Sequence, residues 1–268
     1  MSFFWLIEIQ CTKYFSISQH IKVYKICFPF LVSHIPRDCS AILEGGQTKS
    51  GVYKISPLST RHAICVYCDM ETAGGGWTAF QRRLHWSVDF NRPWEDYKIG
   101  FGLPGIDYWI GNDEIHLLTK GNDFSLCVVI KLQNGTTLYE LYGQFSIADE
   151  ANKYKLFLGG PTTGTLVVTP SQGPTFPIDF SISSTGDSMF DSSLMNLNGM
   201  YFSTLDRDND NYPNWDCGKG LMGGWWFAYC AHGFLNGVSS PDNFWGSWNP
   251  TVPPGSKVNE TLMMIKPR

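Results

Sequence analysis

The sequence predicts a mixed domain in which short strands and a few short helices are joined by many turns. From Arg37 onward, short apolar runs are broken by Gly, Pro, Asn and Asp. The chain is 15% aromatic and carries 27 Gly, so large rings have to hold irregular backbone in place. Asn134-Gly135, between two apolar runs, is the strongest short hairpin signal in the sequence. At 268 residues there is room for one large domain or two small ones, with ample core. No repeat, heptad or low-complexity block interrupts the pattern.

Residues 1–36 lack sustained periodicity and are expected to lie outside a domain spanning 37–268, as a leader, a remnant of one, or a tail with its own role. Phe3–Ile7 is apolar, but Glu8 interrupts it and no positive flank precedes it; Ile26–Val32 is broken by Pro29. Neither makes a convincing signal peptide. No apolar run reaches the roughly 18 residues that span a bilayer, so membrane insertion is not expected. Asp38-Cys39 opens the domain. Gly51–Ile55 and Ala63–Cys68 alternate as strands, and Gly74–Phe80 runs a glycine bend into a third. Asp107–Thr119 reads as a turn and a short helix, with Asn112 or Asp113 placed to cap it. Phe124–Leu132 and Thr136–Phe145 are the hairpin strands, with Asn134 at the exposed tip. Gly159–Pro177, rich in Gly, Thr and Pro, reads as a surface excursion, and Lys257–Lys266 as a closing strand that returns to the core.

The chemistry is concentrated in Phe202–Gly237. Asp206, Asp208 and Asp210 alternate along a polar loop and offer hard oxygen ligands to a cation. Cys217 and Cys230 bracket a loop of a size that a disulfide closes well. Trp225, Trp226 and Phe227 place apolar surface beside Tyr229 and His232. An EF-hand needs Gly at loop position 6 and a bidentate Glu at position 12, where this sequence has Asn211 and Cys217. A calcium loop of another kind remains, with side-chain oxygens from Asp208 and Asp210; its rival is a solvated acidic turn. For Trp225 and Trp226, core packing outranks ligand contact, and a lone His232 reads more readily as a structural histidine.

Other chemistries find little support. The formal charge of -4 is spread over both signs, which leaves no footprint for nucleic acid and no polybasic block for anionic lipid. There is no nucleophile elbow, HExxH, P-loop or GxGxxG after a strand, and the six histidines form no ligand spacing, so no enzyme is expected. Eight cysteines suggest disulfides, but counting does not pair them. Cys65-Val-Tyr-Cys68 has a redox spacing, yet a redox pair belongs at a helix start and these flanks read as a strand. A zinc site would need a second close pair. Cys65 and Cys127 lie in apolar runs and read as buried free thiols, with a bridge between them as the alternative. Asn134-Gly-Thr and Asn259-Glu-Thr have the form of glycosylation acceptors, while Pro250 excludes Asn249.

Seven motifs occur in one order: CDM at Cys68–Met70, GGGWTAFQRR at Gly74–Arg83, DFNRPWEDYKIGFG at Asp89–Gly102, YWIGNDEIHLLT at Tyr108–Thr119, the DxDND loop at Asp206–Asp210, LNG at Leu235–Gly237 and MMIKP at Met263–Pro267. Together they make residues 37–268 resemble a fibrinogen C-terminal-like domain, the family of ficolins, tachylectins, angiopoietins and tenascins. The resemblance implies a secreted α+β domain: a twisted antiparallel sheet with short helices and a loop-rich C-terminal part that carries calcium and ligand. It implies bridges Cys39–Cys68 and Cys217–Cys230, and backbone carbonyls near Tyr212 and Asn214 to complete a Ca2+ site. The sequence has one residue more than the family pattern between the acidic loop and Cys217.

Lectin members hold an acetyl group near the second disulfide, which corresponds here to Phe227, Tyr229, Cys230, Ala231 and His232. Where those lectins typically have Tyr and His, this sequence has Phe227 and Ala231, which removes polar partners from the pocket. Asp242 resembles an aspartate that receives a peptide amine in fibrinogen itself; a surface turn is its rival. The expected function is calcium-dependent, lectin-like binding of glycans or acetylated surface groups in innate pattern recognition. A receptor or matrix protein is the alternative partner. Weak single sites need several copies, and no collagen repeat or coiled coil gathers them, so either a region outside this sequence does so or the domain associates as a homo-oligomer.

Overall fold

The computed structural model describes residues 35–57, 62–121, 123–159, 161–168, 189, 196–237, 239–240, 243–244, 247–248, 252 and 256–268, with backbone alone at 161–168, 239–240, 243–244 and 247–248. The expectations for residues 1–34 and for Asp242 fall outside them. The first strands are β1 (Gly51–Ile55), β2 (Ile64–Asp69), β3 (Trp77–Arg83), β4 (Phe101–Gly102) and β5 (Tyr108–Trp109). Then come β6 (Phe124–Leu132), β7 (Thr137–Tyr142), β8 (Phe145–Ile147), β9 (Leu156–Leu158) and β10 (Pro161–Val168). Four two-residue strands follow, β11 (Gly233–Phe234), β12 (Ser239–Ser240), β13 (Asn243–Phe244) and β14 (Ser247–Trp248), before the long β15 (Val258–Pro267). The helices are α1 (Cys39–Glu44), α2 (Trp94–Ile99), α3 (Asn112–Thr119) and α4 (Cys217–Gly220).

The main sheet is antiparallel in the order β1-β2-β3-β15-β6-β7-β10, with β5 joining β3 to β4. The expected closing strand is therefore its spine: Met264 pairs with Ala79 on one side and Cys127 on the other. The β6–β7 hairpin turns through Gly135 (φ 86°), with Asn134 exposed at the tip. The glycine bend before β3 is sterically required. A Cβ on Gly75 would lie 2.2 Å from the Met70 carbonyl oxygen, and φ is +70° there.

Four expectations need correction. Thr136–Phe145 is not one strand: β7 ends at Tyr142, and Phe145 opens the separate β8–β9 ladder, its ring stacked on Phe80 at 5.3 Å. Pro161–Val168 is a strand on β7 and not an excursion, its Thr and Val content suiting a pleated edge; 169–177 lies outside the described residues. Helix α3 is capped by neither Asn112 nor Asp113. Gly111 stands at its N-cap, Asn112 Oδ1 accepts from Trp109 Nε1 at 3.0 Å, and Asp113 Oδ1 accepts from Tyr154 Oη at 2.6 Å.

The fourth concerns cysteine. Cys39–Cys68 and Cys217–Cys230 are disulfides, and Cys127 is a buried free thiol that burial pushes well above its ordinary pKa. Cys65 is neither free nor joined to Cys127: it is half-buried and disulfide-bonded. Strands β2 and β6 are separated by β3 and β15. At about 4.8 Å per strand, Cys65 and Cys127 lie ~14 Å apart, beyond disulfide reach.

The main core lies on one face of the sheet and is rich in rings. Trp226 is at its centre, with ring centroids 5.1 Å from Phe202, 5.5 Å from Trp225, 6.0 Å from Trp109 and 6.4 Å from Phe145. Buried Arg83 crosses from β3 to donate to the carbonyls of Leu235 and Gly237, which fixes the segment just past β11. Asp107 works the same way on the other side of β3. Fully buried, it accepts the N–H groups of Leu84, His85 and Ser87 and the Ser87 hydroxyl at 2.6–2.9 Å.

Burial pushes the Asp107 pKa up, but those hydrogen bonds outweigh it and hold the carboxyl below the ordinary aspartate value. A carboxyl depressed on folding adds stability above its unfolded pKa of about 3.9, and that stability is lost as pH falls through the folded value. Asp107→Asn is thus expected to lower the denaturant midpoint at pH 7, by a difference that shrinks progressively as pH falls below about 3.9. An undiminished difference at acid pH would contradict this account.

Candidate functional site

The acidic loop is built outward from the core. Phe202 is fully buried, and Ser203 pairs with Trp225 through two backbone hydrogen bonds of 2.8 and 3.0 Å. This pairing places the loop beside the aromatic run. Gly224 permits it: a Cβ there would come within 2.6 Å of the Tyr97 ring. Asn209 then returns to the core, its side-chain amide donating to the Phe202 carbonyl at 2.8 Å.

Beyond this anchor, Asp208, Asp210 and Asp216 bring carboxylate oxygens within 4.8 Å of one another. Asp210 organises the turn, its two oxygens accepting the N–H groups of Tyr212 and Cys217, each at 2.8 Å. Asp208 accepts the Asp210 N–H at 3.1 Å. Asp216 caps α4 through the Lys219 N–H at 2.8 Å. Burial pushes the Asp210 carboxyl above its ordinary pKa, and the nearby charge of Asp208 adds to this, against the pull of the two N–H groups. Converging, mutually repelling hard oxygens with free lone pairs fit a divalent oxygen-seeking cation.

The three carboxylates that converge are not the alternating run Asp206, Asp208 and Asp210. Asp206 points away from the group: its Oδ1 accepts the Trp94 N–H at 2.8 Å, at the first turn of α2, and the Thr204 hydroxyl at 2.7 Å. Arg207 is also drawn aside, its guanidinium 4.6 Å over the Trp94 ring and 3.8 Å from Glu150. Asp216 is the third carboxylate of the group instead. Sequence reading missed it because an aspartate just before a helical cysteine carries only a capping signal. Tyr212 and Asn214, the expected carbonyl donors, lie on the loop between Asp210 and Asp216, where Asn214 turns the backbone at φ 68°.

The expected pocket residues divide by depth. Phe227 is 0% exposed and packs on Phe234 at 5.1 Å, so it supports the wall from behind and offers no contact surface. Trp225 and Trp226 are likewise core. Tyr229, Cys230, Ala231 and His232 form a half-buried turn, with the Ala228 N–H donating to the Cys230 carbonyl at 2.8 Å. This turn is joined to the acidic loop three times. The Cys217–Cys230 bridge spans them, the Tyr212 and Tyr229 rings meet at 5.3 Å, and the Asn211 N–H donates to the Ala228 carbonyl at 3.1 Å. Tyr212 and Trp215, 42% and 53% exposed, present large apolar surface beside the carboxylates.

Comparison with known proteins places this geometry. Residues 35–268 match the family model for the C-terminal globular domain of the beta and gamma subunits of fibrinogen. Human fibroleukin is 38% identical over 247 residues, covering 87% of this sequence and 52% of that protein. The protein thus spans about half the length of the curated relatives it matches. Among solved structures, the fibrinogen-like globe domain of human ANGPTL2 aligns with a TM-score of 0.71 at 33% identity, over 87% of this protein and 99% of that one. The lamprey fibrin D-dimer in complex with the peptide Gly-His-Arg-Pro-amide aligns with a TM-score of 0.72 at 29% identity, over 87% and 73%.

Proposed function

Because this protein belongs to the family of the C-terminal globular domain of the fibrinogen beta and gamma subunits, we propose that it acts outside the cell as a calcium-dependent recognition domain. The family is one of binding modules, not enzymes. In this reading Ca2+ neutralises Asp208, Asp210 and Asp216 and orders the loop, which holds the Tyr229–His232 turn in shape to grip glycans or acetylated surface groups. The observation that carries it is the triple join between the carboxylate group and that turn. Two disulfides support an oxidising, extracellular setting, and exposed Asn134 and Asn259 are the glycan acceptors proposed for it.

A protein partner is the second reading. The buried Phe227 and the apolar Ala231 leave the turn short of polar groups, while exposed Tyr212 and Trp215 are the kind of surface that anchors protein interfaces. Retention on acetylated-sugar beads separates the two. The expected result is retention lost with chelator and competed by free N-acetylated sugar. Asp210→Asn is expected to weaken Ca2+ binding by at least about tenfold by calorimetry, since even the outer partners of metal ligands account for that much. Chelator-insensitive folding together with no retention by the folded domain would favour the protein partner. Unchanged Ca2+ affinity in Asp210→Asn would remove the metal assignment.

A further inference from the structure

A second surface, separate from the Tyr229–His232 turn, combines positive charge with exposed rings. The turn that leads into β9 sets it up. After Glu150–Asn152, both Lys153 (φ 53°) and Tyr154 (φ 48°) take left-handed backbone, which residues with a Cβ rarely accept. The core holds them there. Tyr154 is fully buried and stacks on Trp94 at 5.3 Å; its hydroxyl donates to Asp113 at 2.6 Å, and its carbonyl accepts from the Trp226 indole at 2.8 Å. The Lys153 carbonyl accepts the Phe202 N–H at 3.0 Å, and the Leu156 N–H donates to the Met200 carbonyl at 2.9 Å. Residues 200–202 therefore run beside 153–156.

With Tyr154 and Leu156 buried, Lys153 and Lys155 are left on the outer side. Their ammonium groups approach one ring, that of Tyr201, at 5.3 and 5.6 Å from its centroid. Tyr201 is 38% exposed, and Phe157, 45% exposed, continues the outward row of β9 past Lys155. Two like charges gathered round one ring repel each other, and contact with an exposed ring offsets this only weakly. Among the described residues neither ammonium is ion-paired. Glu150, the carboxylate at the start of the turn, is held by Lys98 at 2.5 Å and by the Trp94 indole at 2.9 Å, with Arg207 3.8 Å away. In a sequence of formal charge -4, this is a local excess of positive charge beside flat apolar faces.

We propose that this surface binds a sulfated glycan chain. The electron-rich faces of Tyr201 and Phe157 suit the C–H side of a pyranose ring. The lysines are compact point charges that meet sulfate groups without the fixed orientation an arginine fork demands. A sulfated sugar uses both features, whereas a plain anion uses the charges alone and a neutral sugar the rings alone. No carboxylate of the acidic loop takes part, so the proposal does not rest on the calcium reading.

Retention of the intact protein on immobilised heparin, a sulfated polysaccharide, tests this with and without chelator. The expected result is retention that weakens as salt rises and is the same in chelator. Lys153→Gln with Lys155→Gln keeps most of each stem, including the one that runs over Gly199. This pair is expected to weaken binding about tenfold and to lower the slope of log K against log salt by about two, as the loss of two contacts to a polyanion does. Tyr201→Ala is expected to weaken binding severalfold, and Tyr201→Phe to keep it. Unchanged binding in the lysine pair or in Tyr201→Ala overturns the proposal. So does retention that chelator abolishes, which would place the sugar on the acidic loop, and so does equal affinity for polyglutamate, which would mean that charge alone is read.

Discussion

Trp226→Ala is expected to cost about 3–5 kcal/mol, the range for truncating a fully buried large aromatic. The ring touches Trp109, Phe145, Phe202 and Trp225, and its Nε1 donates to the Tyr154 carbonyl at 2.8 Å. Truncation therefore opens a cavity between the sheet, the β8–β9 ladder and the acidic loop. It also leaves a buried carbonyl without its donor. At ~2–4 °C per kcal/mol for a domain of this size, the melting midpoint should fall by about 10 °C. Trp226→Phe should retain a large part of the packing and lose the hydrogen bond. A midpoint within a degree or two of wild type for the alanine variant would mean that the ring cluster does not hold the core.

Removing the Cys217–Cys230 bridge is expected to act on stability and on the site together. The sequence separation is 13, and a loop of that size adds roughly 3 kcal/mol in the loop-entropy account. Locally, the bridge joins the turn at Cys230 to the residue whose N–H is held by Asp210. Cys217→Ser with Cys230→Ser should lower the denaturant midpoint and weaken Ca2+ binding, whereas the same change at Cys39 and Cys68 should lower the midpoint alone. Equal loss of Ca2+ affinity from both pairs would show that the metal senses general loosening and not the local bridge.

The strands were readable where turn residues bound a run of strand formers. Gly51–Ile55, Phe124–Leu132 and Lys257–Lys266 follow the observed elements closely because apolar runs and the turn residues that bound them act locally. The same local logic misassigned Pro161–Val168, where Gly and Thr read as a loop until an edge of β7 is there to pair with. It misassigned the cap of α3 because the short polar side chains of Asn112 and Asp113 are claimed by Trp109 and Tyr154 from elsewhere in the fold.

At the candidate site the division is similar. Asp208 and Asp210 announce themselves by spacing, and Cys217 and Cys230 by their motif context. Which third carboxylate joins them does not follow from order along the backbone. Asp206 is nearer in sequence, but the N-terminus of α2 takes it, while Asp216 is carried in by the turn at Asn214 and the start of α4.

Composition and motif order were enough to give the fold class and, through the family resemblance, the bridges Cys39–Cys68 and Cys217–Cys230. The direction each side group faces, the bonded state of Cys65 and the depth of Phe227 required the packed molecule. Those depend on contacts between segments far apart in sequence, whose distances no local pattern encodes.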